Sequence, residues 1–286
     1  AFAGFLSERL RLWHRRYQAG RDEARERELE DRIAEREFQL ARAMQRAAMP
    51  SVPPAIPGLE LAVRSRFARQ VSGDFYMFLP DEKSVGVIIG DVSGKGLPAA
   101  LVSTSIGHLL PWLHPLRSPG NALKNLNRDL LDRLPTESFV SLTLINLDLA
   151  RGCVTLWNCG HPPPLLWRAR EQRLVEGTLF NPVLGIFAGW EGHPERWDCE
   201  PGDVLLLCTD GLLEVRNADG EQFEAQRAGA TLAEHAALPA EEIADALLRA
   251  AESWGTLTDD VTLVVCKRVP VAPGAGEPLH GSPYPG

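Results

Sequence analysis

Aspartates stand repeatedly where an apolar run of strand length begins or ends. Asp91 and Asp210 each close such a run, Asp259 opens one, and Asp74 lies in the same kind of setting. A short continuous apolar run is typical of a buried strand. Carboxylates gathered at a buried sheet edge cost several kcal/mol each, roughly, unless they are neutralised. Because hard divalent cations prefer oxygen ligands, the pattern predicts a sheet edge built around such ions.

Composition excludes several other classes of protein. The chain has 286 residues, 44% hydrophobic and 24% charged, which is typical of a globular protein with one large core. Its net charge of -8 argues against a nucleic-acid partner. No apolar run approaches the roughly 20 residues that span a bilayer, so we expect no membrane crossing within this segment. The chain starts at Ala1 without a secretory signal pattern, which suggests a fragment of a longer protein.

The cysteines predict a cytoplasmic protein with reduced thiols. Their number is odd, they are widely spaced, and no two form a Cys-x-x-Cys motif. This pattern favours core packing over a zinc or redox site.

The two ends of the chain differ from its middle. Residues 1–50 carry helical apolar stripes around a charged stretch, and prolines end the pattern. This segment is either a surface helix packed on its own domain or a coiled-coil linker that forms a homodimer; we favour the coiled coil. The tail, residues 269–286, is rich in proline and glycine and predicts disorder.

Residues 51–268 predict a single α+β domain of many strands with inserted helices. Strands are predicted at residues 59–67, 75–79, 84–91, 139–149, 153–158, 164–168, 194–199, 204–209 and 261–267. Helices are predicted at residues 96–113, 119–134 and 239–254, with a weaker one at 225–235. A tight turn at residues 150–152 predicts antiparallel pairing of its two flanking strands.

The glycine-rich turn from Gly90 to Gly96 permits two interpretations. Such a turn between strand and helix often binds phosphate through backbone N–H groups, which would indicate a nucleotide-binding enzyme. However, the Walker spacing is absent, and a dinucleotide loop does not normally begin with a carboxylate such as Asp91. We therefore expect the glycines to let Asp91 and the Val92 carbonyl point to one place. Asp210 and Asp259 could each be simple turn residues if taken alone.

Several short segments together carry a resemblance that none carries alone. They are Ala41-Arg42-Ala43-Met44-Gln45 with Met49-Pro50, Ser72-Gly73-Asp74-Phe75-Tyr76, Gly90-Asp91-Val92-Ser93-Gly94-Lys95-Gly96, Asn158-Cys159-Gly160-His161-Pro162-Pro163, Pro201-Gly202-Asp203, Thr209-Asp210-Gly211 and Asp259-Asp260-Val261-Thr262. In this order, across residues 41–267, the chain resembles the SpoIIE/RsbU branch of the metal-dependent (PPM) protein serine/threonine phosphatases. The resemblance implies an α-β-β-α architecture, a β-sandwich flanked by helices, with a binuclear Mn²⁺ or Mg²⁺ site at one end.

The resemblance also implies roles for individual residues. Asp91 resembles the carboxylate that bridges both ions, and the Val92 carbonyl resembles a ligand of the second ion. Asp210 and Asp259 resemble the remaining protein ligands of the first ion, and Asp74 resembles the acid that serves the second. We expect the first-ion aspartates to be essential for catalysis. Three further positions resemble supporting ones: Asp260, Gly94 and Gly211.

One departure from the family pattern affects the second ion. The family usually reads Gly-Gly-Asp-Phe-Tyr-Asp, whereas Ser72 here replaces the first glycine and Met77 the last aspartate. This predicts a tight first metal site and a looser second one. The alternative is a pseudophosphatase of the same fold that acts as a binding or dimerisation module. His161 is either the acid that protonates the leaving oxygen or a residue that fixes a turn, and we favour the turn.

The resemblance implies a function in bacterial partner-switching signalling. The expected reaction is hydrolysis of a phosphoserine or phosphothreonine by metal-activated water, and the expected substrate is a phosphorylated anti-sigma-factor antagonist. The N-terminal helix would then regulate the phosphatase domain as a dimerising linker.

Overall fold

The computed structural model describes residues 52–67, 71–81, 84–113, 115–134 and 138–271, with scattered positions between 21 and 49. Of the predicted linker, residues 38–45 form a continuous described helix, α1, and most of residues 1–37 lies outside the described residues. The predicted disordered tail also lies outside them, apart from residues 269–271. The coiled-coil dimer and the disordered tail therefore stay predictions.

Ten strands form the framework of the described residues. They are β1 (Leu59–Arg66), β2 (Phe75–Pro80), β3 (Ser84–Val92), β4 (Val140–Asp148), β5 (Cys153–Cys159), β6 (Leu165–Arg168), β7 (Arg173–Glu176), β8 (Glu195–Asp198), β9 (Val204–Cys208) and β10 (Val261–Arg268). The helices that follow α1 are α2 (Leu97–Trp112), α3 (Pro119–Arg133), α4 (Asp210–Leu213), α5 (Glu224–His235) and α6 (Ala240–Trp254).

The strands form two five-stranded antiparallel sheets. Sheet A has the order β1-β10-β9-β6-β7, and sheet B has the order β2-β3-β4-β5-β8. The hairpin that joins β4 to β5 confirms the antiparallel pairing that the turn at residues 150–152 predicted.

Three apolar clusters show that the sheets and helices form four layers. The side chains between the two sheets come from both of them, for example Ile89 of sheet B and Val264 of sheet A. The outer face of sheet B is covered by α2 and α3, whose Ile106 and Leu126 pack against strand residues such as Leu144. The outer face of sheet A is covered in the same way by α5 and α6. The α-β-β-α prediction is therefore confirmed.

Side-chain alternation explains why the central strands are apolar throughout. In β3, Val87 and Ile89 face the opposite sheet, whereas Ile88 between them faces the helices. Successive side chains of a strand point to opposite faces, so a strand covered on both sides must be apolar at every position. All three are fully buried.

The predicted boundaries agree closely with the structure. Each of the nine predicted strands and four predicted helices lies within one residue of an observed element at either end. The short strand β7 and the single-turn helix α4 were not predicted. In the part of the chain that the structure describes, no helix is both long and apolar enough to span a bilayer.

Candidate active site

The sheet topology brings the predicted aspartates to one end of the sandwich. Strand β2 begins beside the end of its antiparallel neighbour β3, so Asp74 and Asp91 share an edge of sheet B. Strand β10 begins beside the end of β9, so Asp210 and Asp259 share an edge of sheet A. These four residues and Asp260 line a single cavity of about 510 Å³.

Gly73 makes room for two oxygen atoms of this cavity. A Cβ atom at position 73 would lie 2.6 Å from Oδ1 of Asp91 and 2.8 Å from the carbonyl oxygen of Val92. Both oxygen atoms therefore approach the same side of Gly73. This is the arrangement expected from the glycine-rich turn, in which Asp91 and the Val92 carbonyl point to one place.

Burial and mutual repulsion disfavour the ionised form of these carboxylates when no counter-charge is present. Burial, together with the charges of Asp210 and Asp259, raises the pKa of Asp91 to about 7. The pKa of Asp210 is also raised, mainly by burial and then by Glu214 and Asp259. Desolvation and like charges both disfavour ionised carboxylates, and a bound cation reverses both effects.

Asp74 differs from the other aspartates because it is buried and hydrogen-bonded inside the sandwich. It is buried, and its Oδ2 accepts a hydrogen bond of 2.9 Å from the Thr209 hydroxyl of sheet A. Burial and then the charge of Asp91 raise its pKa well above the usual range, and hydrogen bonds from Thr262 and Thr209 oppose this shift. Asp74 therefore connects the edge of sheet B to sheet A.

Asp259 is partly exposed and already has a cationic partner. The Nζ atom of Lys95 lies 2.6 Å from its Oδ2, and both side chains are about half exposed, at 50% and 48%. Its Oδ1 accepts a hydrogen bond from the Asp260 N–H. Within the described ranges, no three acidic, histidine or cysteine side chains stand close enough to form a preassembled metal cluster. The predicted aspartate ligands thus line one cavity, but their side chains do not form a close cluster.

The supporting glycines allow close approach of the loops around the cavity. A Cβ atom at Gly211 would lie 1.9 Å from the Asp260 carbonyl oxygen, so only glycine fits between the two loops of sheet A. Gly94 has a positive φ of 101° and lies in open space, where it lets the chain turn between β3 and α2. The structure therefore gives a physical reason for each predicted position.

The donor set of the cavity fits hard divalent cations. Its candidate ligands are carboxylate oxygens from Asp91, Asp210 and Asp259 and the Val92 carbonyl oxygen. Oxygen-only ligation is the chemistry that Mg²⁺ and Mn²⁺ prefer. The repulsion that raises the pKa of Asp91 supplies a reason for cations to bind there.

Met77 does not belong to this site. It is buried in the apolar cluster between sheet B and its covering helices, and it is not among the residues that line the cavity. The departure of this position from the family pattern therefore replaces no cavity-lining group in this structure.

His161 lines the cavity but is built as a turn residue. It is only 2% exposed, and burial lowers its pKa to about 3, so the ring is neutral at physiological pH. Its backbone is held by the side chain of Asn158 through bonds at its N–H (2.8 Å) and its carbonyl (2.9 Å). Its Nδ1 shares a hydrogen bond with the Ser141 hydroxyl. A neutral, buried imidazole with this low pKa is poorly suited to protonating a leaving group.

Two features of the site were missed by the sequence analysis. The first is the pair of hydrogen bonds from Thr209 and Thr262 to Asp74, and the second is the set of hydrogen bonds made by Gln45. Gln45 of α1 is buried and bonds both backbone groups of Ser72, accepting from its N–H at 3.2 Å and donating to its carbonyl. It also donates to the Ser103 hydroxyl of α2 at 3.0 Å. The signal for Gln45 was its place in a segment that resembles the family, whereas the threonine bonds depend on two distant strands meeting.

The α-β-β-α sandwich and the acidic cavity at its end together define the class of metal-dependent (PPM) protein phosphatases. Within this class the chain belongs to the family Stage II sporulation protein E (SpoIIE), which residues 81–269 match.

Individual relatives agree with this placement. The phosphoserine phosphatase RsbU of Bacillus subtilis is 29% identical over 239 residues, which are 81% of this chain and 70% of RsbU. The solved RsbU and RsbW domains of Rv1364c from Mycobacterium tuberculosis are 26% identical with a TM-score of 0.70, over 79% of this chain and 64% of that one. The SiaA-PP2C domain of Pseudomonas aeruginosa shares the fold at 18% identity, with a TM-score of 0.73, over 84% of this chain and 98% of that one.

Proposed function

We propose that this chain is a Mn²⁺- or Mg²⁺-dependent phosphoserine and phosphothreonine protein phosphatase of the bacterial cytoplasm. The observation that carries the proposal is the convergence of five aspartates from two sheets on one cavity, where their carboxylate oxygens are donors that suit hard cations. Membership of the SpoIIE family supports the same reaction class.

Within this proposal, Asp91, Asp210 and Asp259 would hold the first cation. Asp91, the Val92 carbonyl and Asp74 would serve the second. When bound, the two ions supply an activated water and positive charge for the phosphoryl oxygens. The protein's own role is to hold the carboxylate and carbonyl oxygens at the open end of the sandwich, where a phosphorylated side chain can enter.

The thiol of Cys208, two residues before Asp210, does not suit an alternative cysteine mechanism. Burial and the charges of Asp210 and Asp74 raise the pKa of Cys208 to about 12. A thiol with that pKa stays protonated at neutral pH, and only a thiolate is an effective nucleophile. Direct attack by water is therefore the mechanism that the chain favours.

Hydrolysis of p-nitrophenyl phosphate with and without Mn²⁺ tests the proposal. We expect Asp91→Asn and Asp210→Asn each to lower kcat by about a hundredfold to a thousandfold, because each removes a charged ligand. Asp198→Asn, at an exposed position of β8, is the matched control and should keep its activity. Circular dichroism checks that the variants fold. Activity retained in either site variant would exclude this assignment.

The proposed substrate is a phosphorylated anti-sigma-factor antagonist of a partner-switching pathway. The similarity to a phosphoserine phosphatase, RsbU, and to the RsbU domain of Rv1364c supports this choice. The Asp91→Asn variant, which should bind substrate without turning it over, provides a trap. Recovery of no phosphorylated antagonist by this variant from cells would argue for another substrate.

We also propose that the N-terminal helix forms a homodimer and regulates the domain. Leu40 and Met44 of α1 expose 64% and 58% of their surface, while Gln45 on the same helix is buried against the domain. One face of the helix is therefore available for a second copy. Sedimentation of the Leu40→Ser/Met44→Ser variant should show a weaker dimer, and an unchanged dimer would contradict this part of the proposal.

The pseudophosphatase alternative loses its main support in the structure. It rested on Met77 as a missing ligand, yet Met77 packs in the core and does not line the cavity. The p-nitrophenyl phosphate assay separates the two functions directly.

A further inference from the structure

The segment between β7 and β8 carries an unusual stretch without charge. Residues 177–190 contain no aspartate, glutamate, lysine, arginine or histidine, although 24% of the chain is charged. Within it, Ile186 and Phe187 expose 52% and 45% of their surface. Large apolar side chains on an uncharged surface mark contact sites more often than ordinary surface.

Hydrogen bonds hold this segment in one shape. Asn127, buried in α3, donates to the Phe187 carbonyl at 3.0 Å and accepts from the Gly185 N–H at 2.8 Å. Leu184 and Val140 exchange two backbone hydrogen bonds of 2.9 Å. The exposure of Ile186 and Phe187 is therefore imposed by the fold, since the backbone on both sides of them is fixed.

The same segment borders the candidate active site. Phe139 lines the cavity and is itself 37% exposed. Its backbone exchanges hydrogen bonds with Ser93 of the glycine-rich turn, donating to the Ser93 hydroxyl at 2.7 Å and accepting from the Ser93 N–H at 2.9 Å. A Cβ atom at Gly185 would lie 3.8 Å from the Cα atom of Phe139. We call Phe139, Ile186 and Phe187 the apolar rim: Phe139 lines the cavity, and Ile186 and Phe187 directly follow Gly185, which packs beside Phe139.

Charge limits what can attract a protein substrate to this cavity. The cavity carries five aspartates, and the chain as a whole has a net charge of -8. A phosphorylated protein is also anionic at its reacting residue, so long-range electrostatics oppose the encounter until cations are bound. Contact with an uncharged apolar surface is a source of affinity that does not depend on charge.

We propose that the apolar rim docks the phosphorylated protein substrate through apolar residues that flank its phosphorylated serine. The inference rests on the proposed function and deepens it. A phosphate in the cavity places the residues beside it over Phe139, which belongs both to the cavity and to the rim. The chain thereby selects phosphoserine in an apolar surface setting over phosphoserine in a polar one.

Two synthetic phosphoserine peptides of matched charge test the inference, one with leucine and isoleucine beside the phosphoserine and one with serine and glutamine. For the wild-type chain with Mn²⁺ we expect kcat/KM to be about tenfold higher for the apolar peptide, the effect of a modest interface contact. The Ile186→Ser/Phe187→Ser variant should reduce this ratio to about one. Because the ratio is taken within each variant, a general loss of activity does not affect it.

The control variant is Leu238→Ser, which removes another exposed apolar side chain that does not line the cavity. It should keep the wild-type preference.

Equal rates for the two peptides in the wild type, or a preference that survives in the rim variant, overturns the inference while p-nitrophenyl phosphate hydrolysis still supports the proposed function. Hydrolysis of none of the three substrates overturns both. Sedimentation that shows loss of a dimer in the rim variant overturns the inference in favour of a contact between copies.

Discussion

Gly73 shows how a single missing side chain shapes the candidate site. Its position leaves Oδ1 of Asp91 and the Val92 carbonyl open on the same side. Gly73→Ala should lower metal-dependent phosphatase activity by at least about tenfold, since the added methyl group would lie 2.6 Å from Oδ1 and must displace one of the ligands. The measurement is kcat/KM for p-nitrophenyl phosphate over a Mn²⁺ titration.

Gly189→Ala is the matched control for this change. A Cβ atom at Gly189 meets no atom within 4 Å, so the variant should behave like the wild type. If Gly73→Ala activates normally with Mn²⁺, the two oxygen atoms do not act together as ligands.

His161 makes a separate prediction about acid stability. Its folded-state pKa of about 3 lies below the ordinary 6.5, so the unfolded chain binds the proton first. The contribution of the neutral ring to stability is thus present above pH 6.5 and is lost as the pH falls towards 3. The neutral variant His161→Gln should lack this loss.

Denaturant unfolding of the wild type and His161→Gln at about pH 7 and about pH 5 tests this. The advantage of the wild type over the variant should shrink by up to about 1.4 kcal/mol per pH unit below the ordinary pKa. Aspartates of the cavity titrate in both proteins, so they cancel in the comparison. An advantage that is constant with pH would mean that folding does not change the pKa of the ring.

For individual residues, the sequence predicts which side chains lie in the site better than it predicts the hydrogen bonds that those side chains make. All four aspartates of the predicted metal site line one cavity, because each stands at a strand end that the pattern marks. The bonds from Thr209 and Thr262 to Asp74 were not predictable, because they join segments over 130 residues apart and require the register of two sheets. The direction in which Met77 faces was not predictable either, because the motif does not reveal which way a side chain points; the looser second metal site stays a prediction.

Helix α1 is the element that connects the N-terminal segment to the site. Through Gln45 it bonds the backbone of Ser72, one residue before Gly73, and also α2, which follows the glycine-rich turn from Gly90 to Gly96. We expect Gln45→Ala to destabilise the protein by about 1–3 kcal/mol, because it leaves buried backbone groups of Ser72 without partners. Phosphatase activity should fall with it.

Gln39→Ala is the control for Gln45→Ala, since Gln39 is on the same helix, is exposed, and donates a hydrogen bond to Glu35 one turn earlier. Thermal unfolding measured beside Mn²⁺-dependent activity separates the two effects. An active and fully stable Gln45→Ala protein would show that α1 does not support the site.

The elements themselves follow almost completely from hydrophobic pattern and turn residues. The exceptions are instructive. Strand β7 is an edge strand of four residues with a charged residue at each end, so it has little apolar pattern to detect. Helix α4 is a single turn that begins at Asp210, and four residues are too few for a helical period to be visible.

For the whole molecule, function and stability should oppose one another at the mouth of the sandwich. The clustered aspartates repel in the absence of cations, so Mn²⁺ should raise the unfolding free energy, by about 2.7 kcal/mol at a hundredfold excess over Kd. With the metal chelated, Asp91→Asn should be more stable than the wild type by about 0.5–2 kcal/mol. Thermal unfolding in both conditions measures this, and Asp198→Asn should change neither value. A destabilised Asp91→Asn protein under chelation would contradict it.

The architecture follows from sequence because both outer faces of the sandwich need helices to cover them, and the helical patterns fall between the right strands. What the pattern leaves open is which sheet each strand joins. That assignment decides that Asp74 and Asp91 face Asp210 and Asp259 across the layers, and it is fixed only by packing of the complete core.

The hydrogen bond between Thr209 and Asp74 crosses from one sheet to the other at the catalytic end. The acidic pairs stand on two different sheets, so the spacing between them depends on how the two layers are aligned. A slide of one sheet over the other by a fraction of an ångström would alter the gap between the ligand pairs while leaving every strand intact. The alignment of the two sheets thus sets the distance between the two acidic edges, and the hydrogen bond from the Thr209 hydroxyl to Asp74 helps to fix that alignment.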